Sequence, residues 1–206
     1  IVMAFSIIIG LKAVFASVSM SYYLKKTFKK DGLLTCLFGV LYAFSGYFCA
    51  YYWNIMWLDG MVFLPLIMLG INKIIDEDNP IFYIVFLAIM LFANYFISYM
   101  ICIFSVIYFI GLFIYRGNFK IKNILKKILM FALSSALAAG LVSFMLIPLA
   151  HSLSSISATG DTFPELSSSF KISDFIFNHF TGVNRTVFAS DTLPLPNVYP
   201  GMLTLV

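Results

Sequence analysis

The chain is a succession of apolar blocks, 15 to 35 residues long, separated by short polar punctuation. Blocks of that length match helices crossing a hydrocarbon layer about 30 Å thick, at about 1.5 Å of rise per residue. The first block, about 1–24, ends on Lys25, Lys26, Lys29 and Lys30, and a second covers about 33–52. Residues 61–75 are apolar for only 15 positions, so this block draws on 54–60 to make a span of about 54–75. It stops at Asp76-Glu77-Asp78-Asn79-Pro80, where Pro80 is placed to open the next helix. Residues 81–115 are then apolar for 35 positions, about 52 Å as a single helix, too long for one crossing and barely enough for two. Asn94-Tyr95-Phe96-Ile97-Ser98 is the natural break, giving spans of about 81–94 and 98–115 joined by a tight turn. A sixth span covers about 128–150, an external segment 151–197, and 198–206 begin a further span. The pattern predicts an all-α fold, a polytopic transmembrane bundle of about six complete spans plus the start of a seventh. The chain opens at Ile1 and closes at Val206 inside apolar runs, so a fragment of a longer protein is expected.

Composition agrees with the pattern. Hydrophobic residues make up 62% and charged residues 11%, with a mean hydropathy of +0.98, whereas a soluble domain carries about 25% charge.

Charge adds an orientation. If residues 25–30 are cytoplasmic, alternation places 76–80 and 116–127 on the same side. Ten of the 13 Lys and Arg then lie in or beside cytoplasmic loops, only Lys171 and Arg185 lie outside, and Lys12 is within a span. Such a distribution follows the positive-inside rule and predicts a multi-pass cell-membrane protein with its Lys/Arg-rich loops cytoplasmic. The net charge of +4 is accounted for by this bias, so no nucleic-acid partner is implied. Cys36, Cys49 and Cys102 lie in apolar spans without CxxC or Cys/His spacing, so they read as small buried hydrophobes.

Candidate chemistry gathers toward the opposite face. Tyr51-Tyr52-Trp53-Asn54-Ile55-Met56-Trp57-Leu58-Asp59-Gly60 combines an aromatic belt with the only acidic residue between Asp31 and Asp76. A carboxylate at the membrane edge needs a partner, a proton or water. Asp59 reads equally as a favourable charge at a helix N-terminus. Asn94, Tyr95, Ser98 and Tyr99 are expected at a polar cleft, because non-helical backbone at membrane depth must be buried or hydrated. Helix capping by Asn94 is the competing account. Lys12 is a mid-span charge, read either as a phosphate partner or as an ion-pair partner of Asp59. The segment 151–197 holds His151, Asp161, Glu165, Asp174, His179, Arg185 and Asp191, and a run from Phe170 to Phe180 suited to a short surface helix. No HExxH, GxSxG or phosphate-loop spacing occurs. No cofactor is identified, and a divalent metal finds no support in these residues.

The motifs resemble a family. Ser45-Gly46-Tyr47, Asn54-Ile55-Met56-Trp57-Leu58-Asp59, Leu64-Pro65-Leu66-Ile67 and Leu69-Gly70-Ile71 are similar to the signature of bacterial YfhO membrane proteins. Asn94-Tyr95-Phe96-Ile97-Ser98-Tyr99-Met100 resembles the family's Asn-aromatic-aromatic-Ile-Gly-Tyr-Met turn, with Ser98 in place of glycine. Leu195-Pro196-Asn197-Val198-Tyr199-Pro200-Gly201 is similar to a Leu-Pro-Asn-Ile-Tyr-x-Gly stretch leading into a later span. The resemblance implies a GT-C-type glycosyltransferase using a polyprenyl-phosphate sugar donor within membrane lipid. Its acceptor would be a cell-wall polymer such as lipoteichoic acid on the outer face. It also implies a catalytic acid in a first external loop, expected upstream of Ile1, with the fragment lacking the N-terminal span and that loop. The catalytic residue is thus unknown. Lys12, Asn54, Trp57, Asp59, Asn94, Tyr95, Ser98 and Tyr99 stand as substrate-pocket candidates. A transporter or flippase of a lipid-linked precursor and a non-catalytic scaffold are the alternatives.

Overall fold

A computed structural model describes residues 2–29, 31–116 and 121–154. The expected external segment beyond Ser154 and the start of a further span fall outside the described residues, as do Lys30 and Lys120.

The described chain is helical throughout: α1 (Val2–Phe28), α2 (Leu33–Ala43), α3 (Gly46–Tyr51), a 3-10 turn (Ile55–Trp57), α4 (Leu58–Glu77), α5 (Ile81–Ala93), α6 (Tyr95–Arg116), α7 (Ile121–Leu141) and α8 (Ser143–Ser154). Among the described residues, five stretches are long and apolar enough to cross a membrane: Met3–Phe28, Leu33–Tyr51, Ile55–Glu77, Tyr95–Arg116 and Asn123–Leu141. The chain forms a polytopic membrane helix bundle. Two shorter apolar helices accompany these spans. One is α5, whose 13 residues rise about 20 Å. The other is α8, which carries Pro148 inside it.

Backbone chemistry explains the boundaries. The third span gains its length from the 3-10 turn that runs directly into α4. Asp78 ends α4 in the left-handed region (φ 56), a conformation that Asp tolerates better than most residues. The break between α5 and α6 is a single extended residue, Asn94 (φ −158, ψ 102), rather than a five-residue turn. The helix expected near 128–150 instead begins at Ile121, breaks at Val142 and resumes as α8.

Helix α4 is the axis of the bundle, packing against α1, α5, α6 and α7. Half of its spanning window is buried, against 17% for α1 and α7. Most apolar side chains on the other helices therefore face outward, as expected where lipid is the solvent. Cys36 and Cys49 are exposed on this surface and Cys102 is half-buried, which corrects the expectation of buried cysteines. The reason is that apolar residues in lipid need no core.

Without water to drive helices together, small residues that let backbones approach carry the packing. At Gly70 an added Cβ would lie 2.6 Å from Tyr83 Cα, so α4 and α5 meet backbone to backbone. One core joins α4 to α8 around Ile67, Ile71, Ile74, Tyr83, Leu87 and Met90. A second joins α1, α2, α3 and α4 around Ala13, Ala16, Ala43, Phe48, Leu58 and Met61.

Candidate functional site

The 3-10 turn is held from two sides by side chains far away in sequence. From α1, Lys12 Nζ donates to the Ile55 carbonyl at 2.8 Å and to Asp59 Oδ1 at 2.7 Å. From the α5–α6 break, Asn94 Nδ2 donates to the Met56 carbonyl at 2.9 Å. The Ile55 carbonyl also accepts from the Leu58 N–H, so Lys12 adds a second donor to it, and Asn94 ties the next carbonyl to the α5–α6 break. The Lys12 and Asp59 side chains are 18% and 22% exposed, so the pair is partly desolvated but still accessible. Asp59 also sits in the first turn of α4, where the helix dipole favours a negative charge.

Aromatic rings collect beside this pair. Tyr47, Tyr51 and Trp57 are in successive contact, at 5.0 and 5.3 Å between centroids, and Trp53 lies 6.4 Å from Trp57. Tyr52 and Trp53 are exposed. A groove of about 270 Å³ adjoins them, lined by Tyr42, Tyr47, Trp57, Met61, Leu64 and Ile97 among others and almost wholly apolar. The arrangement offers one cation–carboxylate pair, flat aromatic faces and an apolar slot within a single neighbourhood.

The predicted site residues therefore part company. Lys12, Asp59, Trp57 and the half-buried Asn54 surround the turn. Asn94 also reaches the turn, but its carboxamide oxygen accepts from the Phe96 and Ile97 N–H groups at 3.1 Å, which is helix capping. Ser98 is fully buried and its hydroxyl donates to the Asn94 carbonyl at 2.6 Å, so it does not line a polar cleft. Tyr95 and Tyr99, one turn apart on α6, are exposed. A single-residue break needs only local caps, and Asn94 and Ser98 provide them.

A second polar region lies at the other end of the bundle. Asn72, 5% exposed on α4, donates to Thr27 Oγ1 of α1 at 3.0 Å and accepts from Tyr108 of α6 at 2.9 Å. Tyr108 in turn meets the Tyr23 hydroxyl at 2.9 Å. Around this network, Arg116 pairs with Asp76 and Lys25 with Asp31. Asp78 takes Lys126 at 3.0 Å and the buried Lys127 at 2.6 Å. The Lys127 and Lys126 hydrogen bonds hold the Asp78 carboxyl below its ordinary value of 3.8. Lys127 also donates to the Ile74 carbonyl at 2.9 Å, satisfying the last turn of α4. Among the described residues no cluster of three His, Cys, Asp or Glu forms a candidate metal site.

Comparison with known proteins adds the lineage. The family model described as bacterial membrane protein YfhO matches residues 1–206. The chain belongs to the YfhO family. Neither a curated protein nor a solved structure matches it. In this YfhO chain the Asn54–Asp59 motif coincides with the clasped turn, and the Asn94–Met100 motif supplies one half of the clasp.

Proposed function

We propose that this YfhO protein, in its intact form, is a membrane glycosyltransferase. It would move a sugar from a polyprenyl-phosphate donor to a cell-wall polymer such as lipoteichoic acid on the outer membrane face. The observation that carries the reading is the partly exposed Lys12–Asp59 pair at 2.7 Å, with Trp57, two residues before Asp59, in tilted contact with Tyr51.

The residues divide the work as follows. The apolar groove receives the first prenyl units, held by van der Waals contact since they leave lipid and not water. Trp53, Trp57 and Tyr52 offer faces for the sugar. Lys12, with two of its three donor hydrogens already committed, has one left for the donor phosphate, whose charge rises as the glycosidic bond breaks. Asp59, bound to that ammonium, positions Lys12 rather than serving as a free base, and a different carboxylate would take the proton of the acceptor hydroxyl as it attacks the sugar and the donor phosphate leaves.

Orientation supports the same assignment. Lys25, Lys26, Lys29, Lys73, Arg116, Lys126 and Lys127 gather at the end remote from the clasped turn. By the positive-inside rule that end is cytoplasmic, which puts the Lys12–Asp59 pair toward the outer leaflet.

The test is reconstitution of the intact protein in vesicles with radiolabelled polyprenyl-phosphate sugar and lipoteichoic acid. Label appearing on the polymer supports the enzyme. Label that crosses the bilayer without transfer identifies a transporter and overturns the reading.

A further inference from the structure

A cavity of about 670 Å³ opens at the basic end, between the ends of α1, α4 and α6. Its charged lining is unbalanced: Lys26, Lys29, Lys73 and Arg116 face only Asp76 and Glu77. Arg116 and Asp76 neutralise each other. Lys26 rests 5.7 Å from the Tyr22 ring centre and Lys73 4.9 Å from that of Phe82. Among the described residues neither of these lysines, nor Lys29, forms an ion pair with a carboxylate. Three lysines thus line the cavity, and Glu77 is the one lining acid without an ion pair among the described residues.

The cavity wall is built on the buried network described above. Thr27 accepts from Asn72, so its own hydroxyl hydrogen is free to donate to a ligand oxygen. Asn72 is fixed from both sides, by Thr27 and Tyr108, which holds α1, α4 and α6 in register around the cavity. Leu69 and Ile75 add an apolar portion to the lining.

We infer that this cavity binds the phosphate of an anionic membrane lipid in the leaflet at the basic end. Clustered ammonium groups and a hydroxyl donor suit phosphate oxygens. The apolar side chains, and a location at the ends of membrane-crossing helices, favour a phosphate that arrives with acyl chains over a soluble one. The inference is independent of the glycosyltransferase reading and of which face the basic end occupies.

The experiment is native mass spectrometry of the intact protein in detergent. It is supplied in turn with phosphatidylglycerol, phosphatidylcholine and inorganic phosphate at matched concentrations. Phosphatidylglycerol is expected to be retained at least fivefold above phosphatidylcholine. Retention is expected to fall at least fivefold in the double variant Lys26→Gln, Lys29→Gln and to persist in Lys26→Arg, Lys29→Arg. Both lysines are exposed, so the glutamine variant should fold, and its unfolding temperature verifies this. Should it fail to fold, Lys73→Gln carries the same expectation. Displacement of the lipid by inorganic phosphate would keep the anion site but make its ligand soluble. Equal retention of the two lipids, or retention unchanged in the glutamine variants, would overturn the inference.

Discussion

Lys12 and Asp59, 47 positions apart in sequence, form a 2.7 Å ion pair where α1 meets the first turn of α4. The same ammonium holds the Ile55 carbonyl, so one side chain fixes both the turn and the carboxylate that follows it. Removing one member leaves the other charge partly desolvated, whereas replacing both by apolar residues removes the penalty. Lys12→Met alone is expected to destabilise the protein by about 2 kcal/mol, reduced from the fully buried range because both side chains remain partly exposed. The double variant Lys12→Met, Asp59→Leu should recover at least half of that loss, as read from unfolding temperatures in detergent. A loss in the double variant equal to the sum of the Lys12→Met and Asp59→Leu losses would show that the pair is not coupled.

Asn94 caps α6 and holds the Met56 carbonyl at once. Asn94→Ala should cost about 0.5–2 kcal/mol, the range for losing a helix N-cap. Asn94→Asp keeps the capping acceptor but not the amide donor to Met56, and is expected to fall between the two. Unfolding temperatures of the three proteins give the order directly.

Gly70 lies against the Tyr83 backbone, while Gly140 has nothing within 4 Å of a would-be Cβ. A methyl at Gly70 pushes two main chains apart and should destabilise by about 1–3 kcal/mol. At Gly140 the same change should be neutral or stabilising by up to about 1 kcal/mol, because alanine is the better helix former. Comparing the two alanine variants separates interhelical packing from helix propensity.

Asp78 makes the link between α4 and α7 acid-sensitive. Its carboxyl is held below 3.8 by Lys127 and Lys126, so the folded state prefers the ionised form more strongly than the unfolded chain does. The stabilisation is therefore complete above pH 3.8 and disappears as pH falls through the depressed folded value. Stability measured downward from pH 6 should decline below about pH 4, and Asp78→Asn should flatten that decline. A variant with the native acid sensitivity would remove Asp78 from the account.

Much of the fold could be read from hydropathy, because apolar block length is a local property. The lysines after α1 and the break near Asn94 carried the same kind of local signal. What could not be read were contacts made across long stretches of chain. Asn72 looks like an isolated polar residue in an apolar helix, since its partners Thr27 and Tyr108 are 45 and 36 positions away. Lys127 reads as one more basic loop residue, yet it is buried and bound to Asp78. Ser98 looked like lining for a polar cleft because its bond to the Asn94 carbonyl depends on where α6 starts. At the candidate site, the sequence marked both Lys12 and Asp59, but only the three-dimensional packing shows them sharing the Asn54–Trp57 turn.

Under the proposed function, the Lys12–Asp59 neighbourhood serves sugar transfer and not folding alone. Its most direct test is the sugar content of lipoteichoic acid in cells whose intact protein carries Asp59→Asn, normalised to the amount of folded protein in the membrane. The asparagine keeps the size and a hydrogen-bond acceptor for Lys12 but loses the charge that positions it. At least a tenfold drop in polymer-bound sugar is expected at unchanged protein level. Wild-type glycosylation with Asp59→Asn would contradict it.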